Sequence, residues 1–124
     1  MKFLCLIRAE KVMEQLTAAR ANEQIEKYVE FTRSIRGSGH LIGANRLMPP
    51  ATATTVRVRD GRISRTDGPY VETKEQLGGY YLIEARDMDE AVSVASRIPG
   101  ASVGSVEVRP VAEDASTVSM LGVA

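Results

Sequence analysis

Apolar and polar positions along this chain alternate, cluster and recur in a way that predicts a definite order of elements. Met1 to Ile7 (MKFLCLI) is a nearly unbroken apolar run, the pattern of a strand buried on both faces. Phe3, Cys5 and Ile7 fall to one side, Leu4 and Leu6 to the other. Ala9 to Ala21 reads two ways: Val12, Met13 and Leu16 have helical spacing, yet a long loop ending in a helix cap fits equally. From Asn22 to Arg36 the helical period is clear, with Ile25, Tyr28, Val29, Thr32 and Ile35 opposite Glu23, Glu26, Lys27 and Glu30. Asn22 is the expected N-cap, and Gly37-Ser38-Gly39 stops the helix. His40 to Arg46 (HLIGANR) reads as a strand closed by Pro49-Pro50.

Thr55 to Arg59 alternates, Asp60-Gly61 supplies a two-residue turn with positive φ, and Arg62 to Thr66 returns, which predicts a β-hairpin on a type I′ turn. Asp67-Gly68-Pro69-Tyr70 is a second tight turn. Thr73 to Gly79 is polar and ends on Gly78-Gly79, after which Tyr80 to Ala85 (YYLIEA) forms a strand. Asp87 and Glu90 then open a second helix in the manner of a capping box. Ala91, Val94, Ala95 and Ile98 are its stripe, and Pro99-Gly100 ends it. Val106 to Val111 (VEVRPV) is the last strand, and the tail from Glu113 is small, polar and expected to pack loosely or to reach over a neighbour. With no repeat and no linker, residues 1–124 read as one domain, with its core to about 111 and a tail over 112–124.

Setting the hairpin aside, the order is βαββαβ. This predicts an α+β, ferredoxin-like antiparallel sheet with both helices on one face and an extra β-hairpin. The other face would be open, yet the strands at 3–7 and 80–85 carry bulky apolar residues on both sides. An exposed patch of that kind is unusual for a soluble monomer, and a second copy packed sheet to sheet would cover it. A homodimer is therefore expected.

Charge and composition narrow the function. Sixteen basic and sixteen acidic residues cancel, which argues against nucleic acid or an anionic membrane as the partner. Cys5, the one cysteine, has Leu4 and Leu6 as neighbours and reads as a small buried hydrophobe. It cannot form an internal disulfide, and Arg8, Glu10 and Lys11 interrupt the N-terminal apolar run. No apolar stretch is long enough to span a bilayer, so the expected location is cytoplasmic. Metal-ligand spacing, a phosphate-cradling glycine loop and a nucleophile elbow are all missing, so no metal or other cofactor is expected.

The chain resembles the YCII-related family, and within it the branch named for an Asp-Gly-Pro-Phe signature. The likeness runs through Pro49 to Gly61 (PPATATTVRVRDG), Thr66 to Tyr70 (TDGPY) and Glu72 to Ile83 (ETKEQLGGYYLI). It resumes at Ile98-Pro99 and Val106 to Val111, with Tyr70 in place of the signature Phe. The resemblance implies a dimeric α/β barrel. It implies no settled activity: members look like enzymes, and some relatives are encoded beside, or fused to, extracytoplasmic-function sigma factors.

Asp67 and His40 are the candidate catalytic residues. A carboxylate at the mouth of a turn fixed by Gly68-Pro69 is placed for acid/base work, while an Asp there can also simply bond its own backbone. His40 is the one histidine, the residue type suited to proton transfer at physiological pH, and follows a Gly-Ser-Gly segment. A carboxylate beside it would orient the ring, so a relay between the two is an attractive expectation. Lys74, Arg109 and Tyr70 are the candidate substrate-binding residues, the first two as anion binders. The leading reading is an enzyme or ligand-binding homodimer, with an acid/base site for a small anionic organic compound in a cavity between the two sheets. The alternative is a non-catalytic module that binds a partner protein such as a sigma factor.

Overall fold

The computed structural model describes residues 1–10, 17–71 and 73–122. Its elements are β1 (Lys2–Glu10), α1 (Ala18–Gly37), β2 (Leu41–Arg46), β3 (Thr54–Arg59), β4 (Arg62–Asp67), β5 (Glu75–Glu84), α2 (Met88–Ala95), β6 (Ser105–Pro110) and α3 (Ala115–Leu121). Four strands form an antiparallel sheet in the order β2-β5-β1-β6, and β3 and β4 form a separate ribbon. This is the ferredoxin-like α+β topology that the order of elements predicts, with the hairpin inserted between its second and third strands.

β1 lies between β5 and β6, so its alternation sets both faces of the sheet. Phe3, Cys5 and Ile7 oppose Ile83, Tyr81 and Gly79 on one side and Pro110, Val108 and Val106 on the other. Apart from Gly79 and the exposed Pro110, these residues meet Phe31 and Ile35 of α1 and Ala91, Val94 and Ala95 of α2 in a single core. Phe31 and Tyr81 pack edge to face, with ring centroids 5.1 Å apart. On the opposite face Leu4 stands beside Leu82 and Arg109, and Leu6 beside Tyr80 and Glu107. All four of those apolar residues are only half-buried.

Several boundaries differ from the sequence expectation. The N-cap of α1 is Thr17, whose hydroxyl accepts from the Arg20 N–H at 3.3 Å, so Asn22 lies inside the helix. Val12, Met13 and Leu16 lie outside the described residues. The polar stretch before Tyr80 is not a connection: β5 begins at Glu75, because Glu75, Gln76 and Leu77 pair with Glu10, Ala9 and Arg8. Gly78 is absorbed as a bulge where the register shifts between Ile7 and Arg8. The Glu90 carboxylate accepts from the Arg86 N–H at 3.2 Å, one residue before the Asp87 cap, so the expected capping box is displaced by one position.

The tail is also more ordered than its composition predicts. Asp114 caps α3 by accepting from the Thr117 N–H at 2.9 Å, and Gly122 closes it at φ 66°. Those hydrogen bonds, from the Thr117 side chain first and then its backbone and Ser116, hold the Asp114 carboxyl down at about 2. No residue of α3 is buried, and Met120 is 87% exposed.

The hairpin turn takes the expected form, with φ of 53° at Asp60 and 73° at Gly61. At the far end Gly68 adopts φ 101° and donates its N–H to the Ala53 carbonyl at 2.7 Å. Thr55 donates its hydroxyl to the Gly68 carbonyl at 3.0 Å. The Asp-Gly-Pro turn thus closes the ribbon: Asp67 is its last paired residue, Gly68 supplies the left-handed φ, and Pro69 cannot donate to a further rung. Among the described residues no helix is long and apolar enough to cross a membrane.

Two predictions test this packing. A Cβ at Gly104 would lie 2.0 Å from the Arg8 carbonyl oxygen, so Gly104→Ala must push β1 and the approach to β6 apart. A loss of about 2 kcal/mol or more is expected, seen as a fall of roughly 8 °C in thermal midpoint. Cys5 is fully buried, and burial raises its thiol to about 11. The neutral form persists across the neutral range, so a disulfide reagent at pH 8 should label native protein at least about a hundredfold more slowly than urea-unfolded protein.

Candidate functional site

α1 carries more apolar surface than the core uses. Phe31 and Ile35 are buried, whereas Ile25 and Val29, a turn away around the helix, are 51% and 50% exposed. At 100° per residue the positions from Phe31 round to Val29 span about 160°, wider than the roughly 100° that one buried face needs. The surplus borders a cleft of about 830 Å³ between α1, the outer end of β2 with the Leu47–Pro50 segment, and the first half of β5. A volume of that size falls within the range of small-molecule sites.

The polar floor of the cleft is made by three hydroxyls, those of Tyr28, Thr32 and Tyr81. The Tyr28 hydroxyl accepts from the Gly100 N–H at 3.0 Å. Burial raises the Tyr28 pKa, so the phenol keeps its proton. The Thr32 and Tyr81 hydroxyls are 2.7 Å apart, one donating to the other. Gly100 allows the approach of Tyr28, and Gly79 allows that of the β2 backbone. A Cβ at Gly100 would lie 2.6 Å from the Tyr28 oxygen, and one at Gly79 would lie 3.0 Å from the Asn45 carbonyl. Arg33 and Arg36 border the cleft from α1 and Arg46 from β2.

Neither Asp67 nor His40 lines this cleft, and the structure pairs His40 with other groups. His40 Nδ1 lies 2.6 Å from Ser38 Oγ, and Nε2 lies 3.3 Å from Glu90 Oε1. The second oxygen of Glu90 takes Arg86 Nη1 at 2.9 Å. The expected relay with Asp67 is therefore not formed, because Glu90 occupies the carboxylate position beside the ring. Ser38, His40 and Glu90 stand in the order of a hydrolytic triad, but Ser38 caps the C-terminal end of α1. Outward carbonyls and the negative end of the helix dipole oppose an oxyanion there. The cluster instead ties the end of α1 to the start of α2.

Asp67 is exposed at the end of β4, and its carboxylate accepts no hydrogen bond from a described residue, its own turn included. Tyr70 is exposed beside the ribbon, with the Arg57 guanidinium 5.3 Å from its ring centroid. Lys74 is 83% exposed and pairs with Glu10 at 3.3 Å; Glu10 borders the cleft, but Lys74 does not line it. Arg109 is paired with Glu107 on the open face of the sheet, where Arg8 also reaches Glu107 at 3.4 Å. Arg109 and, secondarily, Arg8 hold the Glu107 carboxyl below its ordinary value. The five candidate residues are thus spread over the hairpin, the mouth of β5, the open face and the α1–α2 junction. Among the described residues no cluster of three His, Cys, Asp or Glu side chains could hold a metal.

The chain matches the YCII-related domain family over residues 1–114. It belongs to that family. An uncharacterized protein of Rhizobium meliloti (strain 1021) is 42% identical over 105 residues, covering 83% of this chain and 75% of that protein.

Sequence reasoning placed Tyr28 and Thr32 in one apolar stripe with Ile35 and did not single out Arg33, Arg46 or Glu90 as site residues. The width of the α1 stripe was the available signal. A double-mutant cycle checks the His40 assignment. His40→Ala and Glu90→Ala should each destabilise by about 1–2 kcal/mol and couple by about 0.5–1 kcal/mol, whereas His40→Ala and Asp67→Asn should be additive in urea melts.

Proposed function

We propose that this YCII-related chain works as a homodimer that binds a small organic molecule in the cleft between α1 and the sheet. The observation that carries this reading is the surplus apolar stripe of α1. Ile25 and Val29 face the cleft wall formed by Leu47 and Met48, where a solvent-exposed arrangement of that size has no stabilising role of its own.

The dimer rests on the other side of the sheet. Leu4, Leu6, Tyr80 and Leu82 form a contiguous half-buried patch with the Arg8–Glu107–Arg109 ion pairs beside it. A two-fold partner covers such a patch and matches its acidic and basic groups with their own copies. In this reading Asp67 meets a pocket only if the second protomer brings one to it, so its acid/base role depends on assembly.

One observation favours the alternative of a module that binds a partner protein such as an extracytoplasmic-function sigma factor. Val56, Val58 and Ile63 share one face of the β3–β4 ribbon and are all exposed, while Arg57, Arg59 and Arg62 share the other. A two-stranded ribbon is marginal by itself, so this face calls for a cover. Solvent protection of the hairpin amides in the isolated dimer would assign that cover to the second copy and remove the ground for a foreign partner.

Two measurements test the leading reading. Sedimentation equilibrium should give a dimer over the micromolar range, and Leu82→Arg should convert it to a monomer with unchanged far-ultraviolet circular dichroism. The neutral dye N-phenyl-1-naphthylamine should bind once per protomer, and Val29→Trp, which fills the cleft, should weaken it at least tenfold. A monomeric wild type overturns the dimer; dye binding indifferent to Val29→Trp overturns the cleft.

A further inference from the structure

Beside the amides of Gln24, Asn45 and Gln76, the hydroxyl and charged groups of the cleft are mostly donors, and this bias defines its ligand. Its floor holds the Tyr28 hydroxyl, which accepts from the Gly100 N–H and donates to no described acceptor. In the Thr32–Tyr81 pair one hydroxyl donates to the other, which leaves the second proton without a described acceptor. Both sites are walled by apolar surface, where an unused donor is costly. Around the rim stand Arg33, Arg36 and Arg46, none of which forms an ion pair with a described residue. The one acidic residue in the lining, Glu10, is paired with Lys74 at 3.3 Å.

From these groups we infer that the cleft binds an apolar carboxylic acid, its hydrocarbon part along Ile25 and Val29 and its carboxylate taking protons from the guanidinium and hydroxyl donors. This rests on the small-molecule reading of the cleft and adds the class of ligand. A neutral hydrocarbon or alcohol satisfies the apolar wall but leaves the guanidinium charge uncompensated. An amine meets like charge. A carboxylate answers both, since it accepts up to four hydrogen bonds and has the planar geometry that arginine recognises. Tyr28 is suited to the donor role because burial keeps its phenol protonated.

The expected site is one in which charge selects and the apolar wall supplies most of the affinity. Arg33 and Arg46 approach from opposite walls, one on α1 and one at the end of β2, so the two can be removed separately. Neither belongs to the buried core, and their loss should leave the fold intact.

Competition against bound N-phenyl-1-naphthylamine by decanoate, 1-decanol and decylamine at pH 7.5 is the test. Decanoate should displace the dye at a concentration at least tenfold lower than either of the others. That advantage should fall about tenfold in Arg33→Gln or Arg46→Gln and severalfold in Tyr28→Phe. It should be unchanged in Arg65→Gln on the hairpin, and decanol should behave alike in all five proteins. Equal displacement by decanoate and decanol, a preference for decylamine, or a decanoate preference that survives both arginine variants overturns the carboxylate assignment while leaving the cleft as a binding site. Failure of the wild type to bind the dye or any of the three competitors overturns the small-molecule reading itself.

Discussion

Burial of β1 is the constraint on which the rest of the structure depends. As an inner strand it must satisfy its backbone on both edges, and it does so through β5 and β6. Its alternation then divides the sheet: Phe3, Cys5 and Ile7 enter the core under α1 and α2, while Leu4 and Leu6 go to the opposite face. A one-residue slip would exchange those sets, expose Phe3 and bury Arg8. The bulge at Gly78 keeps this from happening over a long strand, since it lets β5 follow β1 to Glu10 after the register has shifted. Gly104 serves the same end at the turn into β6, where only a hydrogen fits beside the Arg8 carbonyl.

Elements whose local pattern matched their tertiary setting were legible. The I′ hairpin, the Asp87 cap and the βαββαβ order all follow from short-range rules that the packed structure obeys. Elements decided by long-range pairing were not. Gly78-Gly79 carries the marks of a connection, yet pairing to β1 outweighs that local preference and extends β5 back to Glu75. The tail reads as loose because its residues are small and polar, but Asp114 and Gly122 cap a helix at both ends. Capping acts at two positions and is invisible to composition.

The site was less legible than the fold for a related reason. His40 and Asp67 attract attention as chemically capable residues, but which carboxylate reaches the ring is a matter of topology. Leu41 pairs with Ile83 at the end of β2 nearest the start of α2, which brings His40 to Glu90 fifty positions along the chain. Asp67 leaves the four-stranded sheet altogether on the β3–β4 ribbon. The cleft, by contrast, is written in an ordinary feature, the excess width of the α1 stripe, which looks like core until Phe31 and Ile35 are seen to fill the core without it.

The Asp-Gly-Pro turn acquires its meaning from this layout. Its glycine and proline answer a backbone need: Gly68 bonds back to Ala53 and Pro69 stops the ladder, so the turn holds the ribbon closed at its base. Nothing in that role requires a carboxylate, because Asp67 contributes its backbone to the pairing with Thr54 and leaves its side chain in solvent. An unengaged charge beside the exposed Val56–Val58–Ile63 face lowers the self-association of a bare ribbon and raises the specificity of whatever covers it. The ribbon is thus an arm with an exposed apolar face and a base closed by hydrogen bonds. In the proposed dimer any chemistry of Asp67 would lie where the second protomer meets the ribbon, apart from the α1 cleft, whose described lining comes from one chain.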